Sequence, residues 1–135
     1  MFSQNPSDVE KERLVLSNEL VAELKDVDYL LIATSMYNFN VPASLKLWLD
    51  HIARAGLTFQ YENGRPVGKM GHVRGHVIMS SGGLPPGSPM DHVSVYLKQF
   101  FGFLGIQDGG LTYVGRGSPV EEVNVSEVVG NILEK

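Results

Sequence analysis

The chain contains no cysteine among its 135 residues. That excludes thiolate nucleophiles, iron–sulfur clusters and cysteine-bound zinc, and it fits a reducing compartment. Long apolar runs are missing too: the stretch from Tyr29 to Ala33 falls far short of the roughly 20 residues of a membrane span, and the N-terminus is polar rather than basic-then-apolar. Positive charge is scarce, with 11 Lys+Arg against 15 Asp+Glu for a net −4, and no basic run interleaves with aromatics. Nucleic acid and membrane are therefore excluded as expected partners, and the expectation is a soluble, cytoplasmic protein. At roughly 150 residues per domain the length gives one domain, large enough to fold without disulfides or a structural metal. Fifteen glycines and seven prolines, clustered between apolar runs, exclude a helical bundle.

What is present alternates. Ser7-Asp8-Val9-Glu10 is a capping box, and Leu14, Val21 and Leu24 follow at helical spacing to about Lys25. Residues 29–35, Tyr-Leu-Leu-Ile-Ala-Thr-Ser, form a continuous apolar run, the pattern of a strand buried on both faces of a parallel sheet. After a loop over 36–40, Asn40 can cap a helix with Pro42 in its first turn and Leu45, Leu49 and Ile52 on one face, ending near Gly56. Phe59 and Tyr61 then recur at period two before Asn63-Gly64, a strong hairpin-turn signal, so residues 58–67 read as a small flap. A second buried strand spans 76–80 and a Gly/Pro-rich loop spans 81–87. Ser88-Pro89 opens a helix carrying Val93, Leu97, Phe100 and Leu104, closed by Gly105. Residues 111–114 give a third strand, and a capping box over 118–121 precedes a last helix with Val125, Val128, Val129 and Ile132. This order predicts an α/β domain with three parallel, adjacent strands.

In open parallel sheets ligands bind beyond the carboxyl ends of the strands, so the loops after Ser35 and Ser80 are the candidates. The first, Met36-Tyr37-Asn38-Phe39-Asn40, places a thioether, two aromatics and two amides where a small polar connection is usual, which suits a flat aromatic ligand. The second, Ser80-Ser81-Gly82-Gly83, lets backbone approach a ligand closely, although alone it reads as an ordinary turn. Phe59 and Tyr61 in isolation pin the hairpin, and Trp48 reads as packing in the core or at a subunit interface. His72 and His76 straddle a strand start with no third ligand, so no metal is expected. No Gly-x-Ser-x-Gly elbow presents a nucleophile, and no catalytic residue is singled out.

Residues 35–42 (Ser-Met-Tyr-Asn-Phe-Asn-Val-Pro), Leu45-Lys46, residues 53–59 (Ala-Arg-Ala-Gly-Leu-Thr-Phe), Ser80-Ser81-Gly82-Gly83 and residues 101–106 (Phe-Gly-Phe-Leu-Gly-Ile) together resemble the FMN-dependent NADH-azoreductases and related NAD(P)H quinone reductases. The resemblance implies a flavodoxin-like three-layer αβα fold, shortened here to three main strands and a small hairpin flap. It implies FMN as cofactor, NADH or NADPH as donor, and a quinone or azo compound as acceptor in a ping-pong exchange that needs no catalytic acid on the protein. By the same resemblance Met36, Tyr37, Asn38 and Phe39 lie along the isoalloxazine ring, and Ser80, Ser81, Gly82 and Gly83 close over its other edge. Arginine more often stands in the family where this chain has Ser81. Asn40, Phe59 and Tyr61 would shape the substrate pocket, and a homodimer is implied, with the second helix and the face from Tyr96 to Phe103 as candidate interfaces. Family members begin with a strand, a phosphate loop opening a helix, and a second strand, where this chain offers only Ser3-Gln4-Asn5. The chain is therefore expected to be a fragment, a shortened relative or one completed by a partner, with residues 29–35 at a sheet edge. The competing expectation is a non-catalytic flavodoxin-like remnant acting as a dimerising or binding module.

Overall fold

The computed structural model describes residues 7–115 and, beyond them, 126, 129, 130 and 133. The capping box over 118–121, Val125, Val128, Ile132 and the segment Ser3-Gln4-Asn5 lie outside the described residues, while Val129 is helical.

Helix α1 (Asp8–Lys25) opens on the expected box: Ser7 Oγ accepts from Glu10 N–H, and a Glu10 carboxylate oxygen accepts from Ser7 N–H at 2.6 Å. Strand β1 (Tyr29–Ser35) follows, then α2 (Ala43–Ile52), the hairpin β2 (Phe59–Glu62) and β3 (Arg65–Gly68), β4 (Arg74–Ser80), α3 (Val93–Leu104) and β5 (Gln107–Val114). Among the described residues the main sheet has three strands in the order β1-β4-β5, all parallel, and β2-β3 form a separate antiparallel pair.

The core gathers on one face of that sheet. Ile32, Val77 and Met79 meet Leu24 of α1, Leu49 and Ile52 of α2, and Leu97, Phe101 and Leu104 of α3. Trp48 packs against this cluster while partly exposed. Ser17 joins the first two helices, donating to the His51 carbonyl at 2.6 Å and accepting from Arg54 at 2.6 Å.

Several boundaries differ from expectation, each for a local reason. Strand β1 is not buried on both faces: Leu31 is 54% and Tyr29 45% exposed, while among the described residues the clustered core lies on the Ile32 side. As expected, β1 is an edge strand of the described sheet. Asn40 does not cap α2; its side chain accepts from the adjacent Val41 N–H, and α2 starts after Pro42 without a side-chain cap. That helix ends at Ile52 rather than near Gly56 because the Thr58 hydroxyl donates to the Ile52 carbonyl and accepts from Arg54 N–H. Helix α3 starts at Val93, not at Ser88: the Asp91 carboxylate accepts from Val93 N–H and Ser94 N–H at 2.9 and 3.0 Å, filling the role of a cap. Both β4 and β5 begin earlier than read, at Arg74 and Gln107, and their register shifts between Gly75 and Val77.

The hairpin turns at Asn63 and Gly64 with φ of 51° and 76°, the positive pair of a type I′ turn. It docks on the C-terminal end of α3, where a side chain at Gly68 would meet the Gly105 nitrogen and Leu104 carbonyl carbon at 2.1 Å. Met70 N–H donates to the Leu104 carbonyl at 2.9 Å beside it. Among the described residues no helix is long and apolar enough to cross a membrane.

Candidate functional site

Strands β1 and β4 end level with each other. Ser35 and Ser80 are register partners, their hydroxyls lie 2.8 Å apart, and Met36 N–H donates to the Ser80 carbonyl at 2.8 Å. Parallel pairing therefore carries the two candidate loops side by side at the carboxyl end of the sheet.

The first loop is a tight turn. Tyr37 N–H donates to Asn40 O at 2.8 Å and Asn40 N–H returns to Tyr37 O at 3.0 Å, with Asn38 and Phe39 at φ of 49° and 67°. Asparagine tolerates this left-handed region; phenylalanine there costs about 1–2 kcal/mol. The strain is held from outside, because the Phe39 carbonyl accepts from His92 N–H at the start of α3, at 3.3 Å.

The second loop holds itself through Ser81, whose hydroxyl donates to the Leu84 carbonyl at 2.6 Å and accepts from Leu84 N–H at 3.1 Å. The Tyr113 hydroxyl lies 3.0 Å from the same oxygen. Asp91 braces the far end of this loop by accepting from Gly87 N–H and from the Ser94 hydroxyl. Burial works against the Asp91 charge, but the donors from Ser94, Gly87 and Val93 outweigh it and hold the carboxyl below its ordinary value.

Between the loops lies a pocket of about 350 Å3 lined by Met36, Asn38, Phe39, Ser81, Gly82, Gly83 and Leu84. No group in that lining ionises near neutral pH. Glycine at 82 answers no steric demand of the described chain, since a Cβ there would meet no atom within 4 Å; at Gly83 the space is equally open, but the φ of 152° itself favours glycine. Both glycines line the pocket together with Met36 and Phe39, a lining of open backbone and apolar side chains that suits a flat ring. The residues present thus suit the ring of a flavin. They do not include a phosphate cradle on the α3 side, where the helix start is taken by the Asp91 carboxylate.

Tyr37 and Asn40 stand on the other side of the turn. They line a second pocket of about 530 Å3 with Asn38, Pro42, Lys46 and Tyr96, which sequence reasoning had not joined to the site. Lys46 is paired to Asp50 at 2.7 Å, and that hydrogen bond raises its pKa. Burial raises the Tyr96 pKa, so its hydroxyl stays a donor.

Phe59 and Tyr61 do not reach the loops within one chain. Phe59 is buried against Phe103, ring centroids 4.5 Å apart, with Tyr61 edge-on to it and 66% exposed. Phe103 lies near the C-terminal end of α3 whereas His92, which binds the Phe39 carbonyl, precedes its N-terminal end, a separation of roughly 15 Å along the axis. His72 and His76 are engaged elsewhere, with Lys25 O and with Gly109 O and the Thr112 hydroxyl respectively.

Among known proteins, the chain is 44% identical over 106 residues to an FMN-dependent NADH:quinone oxidoreductase of Azotobacter vinelandii, covering 78% of this chain and 53% of that protein. It is 40% identical over 126 residues to an enzyme of the same name from Shewanella oneidensis, covering 91% and 64%. The chain thus spans about half to two-thirds of the length of these curated relatives. Among solved structures, an FMN-dependent NADH-azoreductase of Bacillus anthracis in complex with FMN superposes with a TM-score of 0.74 at 26% identity, covering 97% of this chain and 63% of that one. Another azoreductase from that organism gives a TM-score of 0.76 at 19% identity, with 96% and 64% covered, a likeness of fold. The sequence pattern of a family described by its flavodoxin-like fold matches residues 2–134, and with the parallel sheet and paired crevice loops already in view, the chain belongs to that family.

Proposed function

We propose that the chain binds the isoalloxazine ring of FMN between residues 36–39 and 80–83 and serves NADH-dependent reduction of quinone or azo acceptors. The observation that carries the reading is the open backbone at Gly82 and Gly83 facing Met36 and Phe39 across one pocket. The named activity of relatives at 40–44% identity supports it. A bound flavin supplies the two-electron transfer between nicotinamide and acceptor.

The residues of this chain do the rest. Met36 and Phe39 offer an apolar face for stacking, and the Asn38 amide and the 82–83 backbone N–H groups offer hydrogen bonds to ring heteroatoms. The strained turn holds these groups in place before the ring arrives, so less ordering opposes binding. With no ionising group in the lining, proton supply is left to donor and solvent. Tyr61, far from its own crevice, meets the acceptor in a second copy of the chain, a homodimer in which Asn40 and the Tyr96 pocket border the same space.

The test follows NADH oxidation by the purified chain, with and without added FMN, using a quinone and then an azo dye as acceptor. FMN-dependent turnover is the expected result. FMN binding without turnover refutes the oxidoreductase reading and leaves a flavin-binding module.

A further inference from the structure

We propose that Tyr113, at the end of β5, is a positioning residue for the flavin-facing turn at 81–84. The inference rests on the flavin reading above and adds a residue that touches no ligand itself.

The argument starts from the capacity of one oxygen. A serine hydroxyl has one hydrogen to donate and two lone pairs to accept with. The Ser81 hydrogen goes to the Leu84 carbonyl at 2.6 Å, and one lone pair takes Leu84 N–H at 3.1 Å. The remaining lone pair faces the Tyr113 hydroxyl at 3.0 Å, so Tyr113 is the donor. Ser81 Oγ is then fully engaged within the protein.

Two of those three bonds are internal to the turn and would move with it. The third ties the turn to the sheet. Tyr113 is a firm post: it pairs in register with Met79, one residue before the crevice, and its ring packs against the core cluster. The turn has little else to fix its shape, since Gly82 and Gly83 carry no side chains and Gly83 sits at φ 152°. A Cβ at either position would meet nothing within 4 Å. Glycine backbone without packing samples many conformations, and only those that present the 82–83 N–H groups to the pocket bind the ring.

Tyr113→Phe keeps the ring and removes only the donor. In the flavin-free chain, hydrogen exchange of the Leu84 amide should speed up about fivefold, the population factor of one ordinary hydrogen bond, while amides of α1 such as Leu24 keep their rates. Ser81→Ala removes all three bonds, including the acceptor of the Leu84 amide, and should speed Leu84 exchange further, while Tyr113→Phe should add nothing in the Ser81→Ala background. FMN and riboflavin should both bind more weakly to Tyr113→Phe, because the turn addresses the ring and not the phosphate. Unchanged Leu84 exchange in Tyr113→Phe overturns the tie. Faster exchange with unchanged flavin affinity overturns the positioning role. Failure of the wild-type chain to bind either flavin overturns the flavin reading and the role that rests on it, and the exchange data then show separately that the tie exists.

Discussion

Replacing Phe39 by glycine and by alanine separates the strain of the first loop from the ring it carries. Both changes delete the same exposed ring, 46% accessible, so that loss is common to the two variants. They differ in backbone freedom alone. At φ 67° an L-residue bears about 1–2 kcal/mol that glycine does not, while glycine's extra freedom in the unfolded chain returns roughly 0.4–1 kcal/mol to alanine. The net favours Phe39→Gly by about 0.5–1 kcal/mol, or about 2–4 °C in melting temperature for a domain of this size. The order is the reverse of that expected in a helix or strand, where alanine is the more stable by a similar amount. Thermal melts followed by circular dichroism, with urea titrations as a second measure, decide it. An alanine variant as stable as the glycine variant, or more so, refutes the claim that the turn stores strain. Flavin affinity should fall alike in both, since both lack the ring.

At neutral pH, Asp91→Ala should cost about 1–2 kcal/mol by removing the cap of α3 and freeing the 81–92 loop, read by urea denaturation. Because the folded carboxyl titrates below its ordinary value, its contribution is complete above pH of about 4 and is lost as the pH falls through the folded pKa, so the gap to wild type should close in acid. A gap that persists unchanged at low pH would show that the charge is not the stabilising feature. Gly68→Ala should destabilise the chain by about 3 kcal/mol or more, since the new Cβ collides with backbone at Gly105 and not with a movable side chain; a variant within 1 kcal/mol of wild type by the same denaturation assay would contradict the hairpin's docking on α3.

Where an element is decided by neighbours in sequence, the chain was legible. The box at Ser7 and Glu10, the turn at Asn63-Gly64 and the apolar face of α3 all act within a few residues. The two loops were legible because parallel pairing must bring successive strand ends together. What depends on distant partners was not. The apolar run at 29–35 could not show that Tyr29 and Leu31 stay exposed while Ile32 is buried. Ser88-Pro89 carries a good start signal, yet Asp91 wins because it satisfies Val93, Ser94 and Gly87 together. Thr58 ends α2 early through a carbonyl six residues back. Tyr113 faces Ser81 only because the β4–β5 register shifts near Gly75, an offset that no local pattern encodes. The roughly 15 Å along α3 between Phe103, which the hairpin packs against, and His92, which holds the Phe39 turn, follows from the length of α3, which the period-two pattern at Phe59 does not reveal.

The central claim is that the space beside Gly82 is where a flavin ring lies. A fluorescence titration of FMN with the wild-type chain and with Gly82→Val addresses it directly, alongside a melting curve for each. The account predicts saturable quenching by wild type and none by Gly82→Val, with melting temperatures within about 2 °C, since the valine side chain starts in space that no protein atom fills. Equal quenching by both chains, or none by wild type, would contradict it.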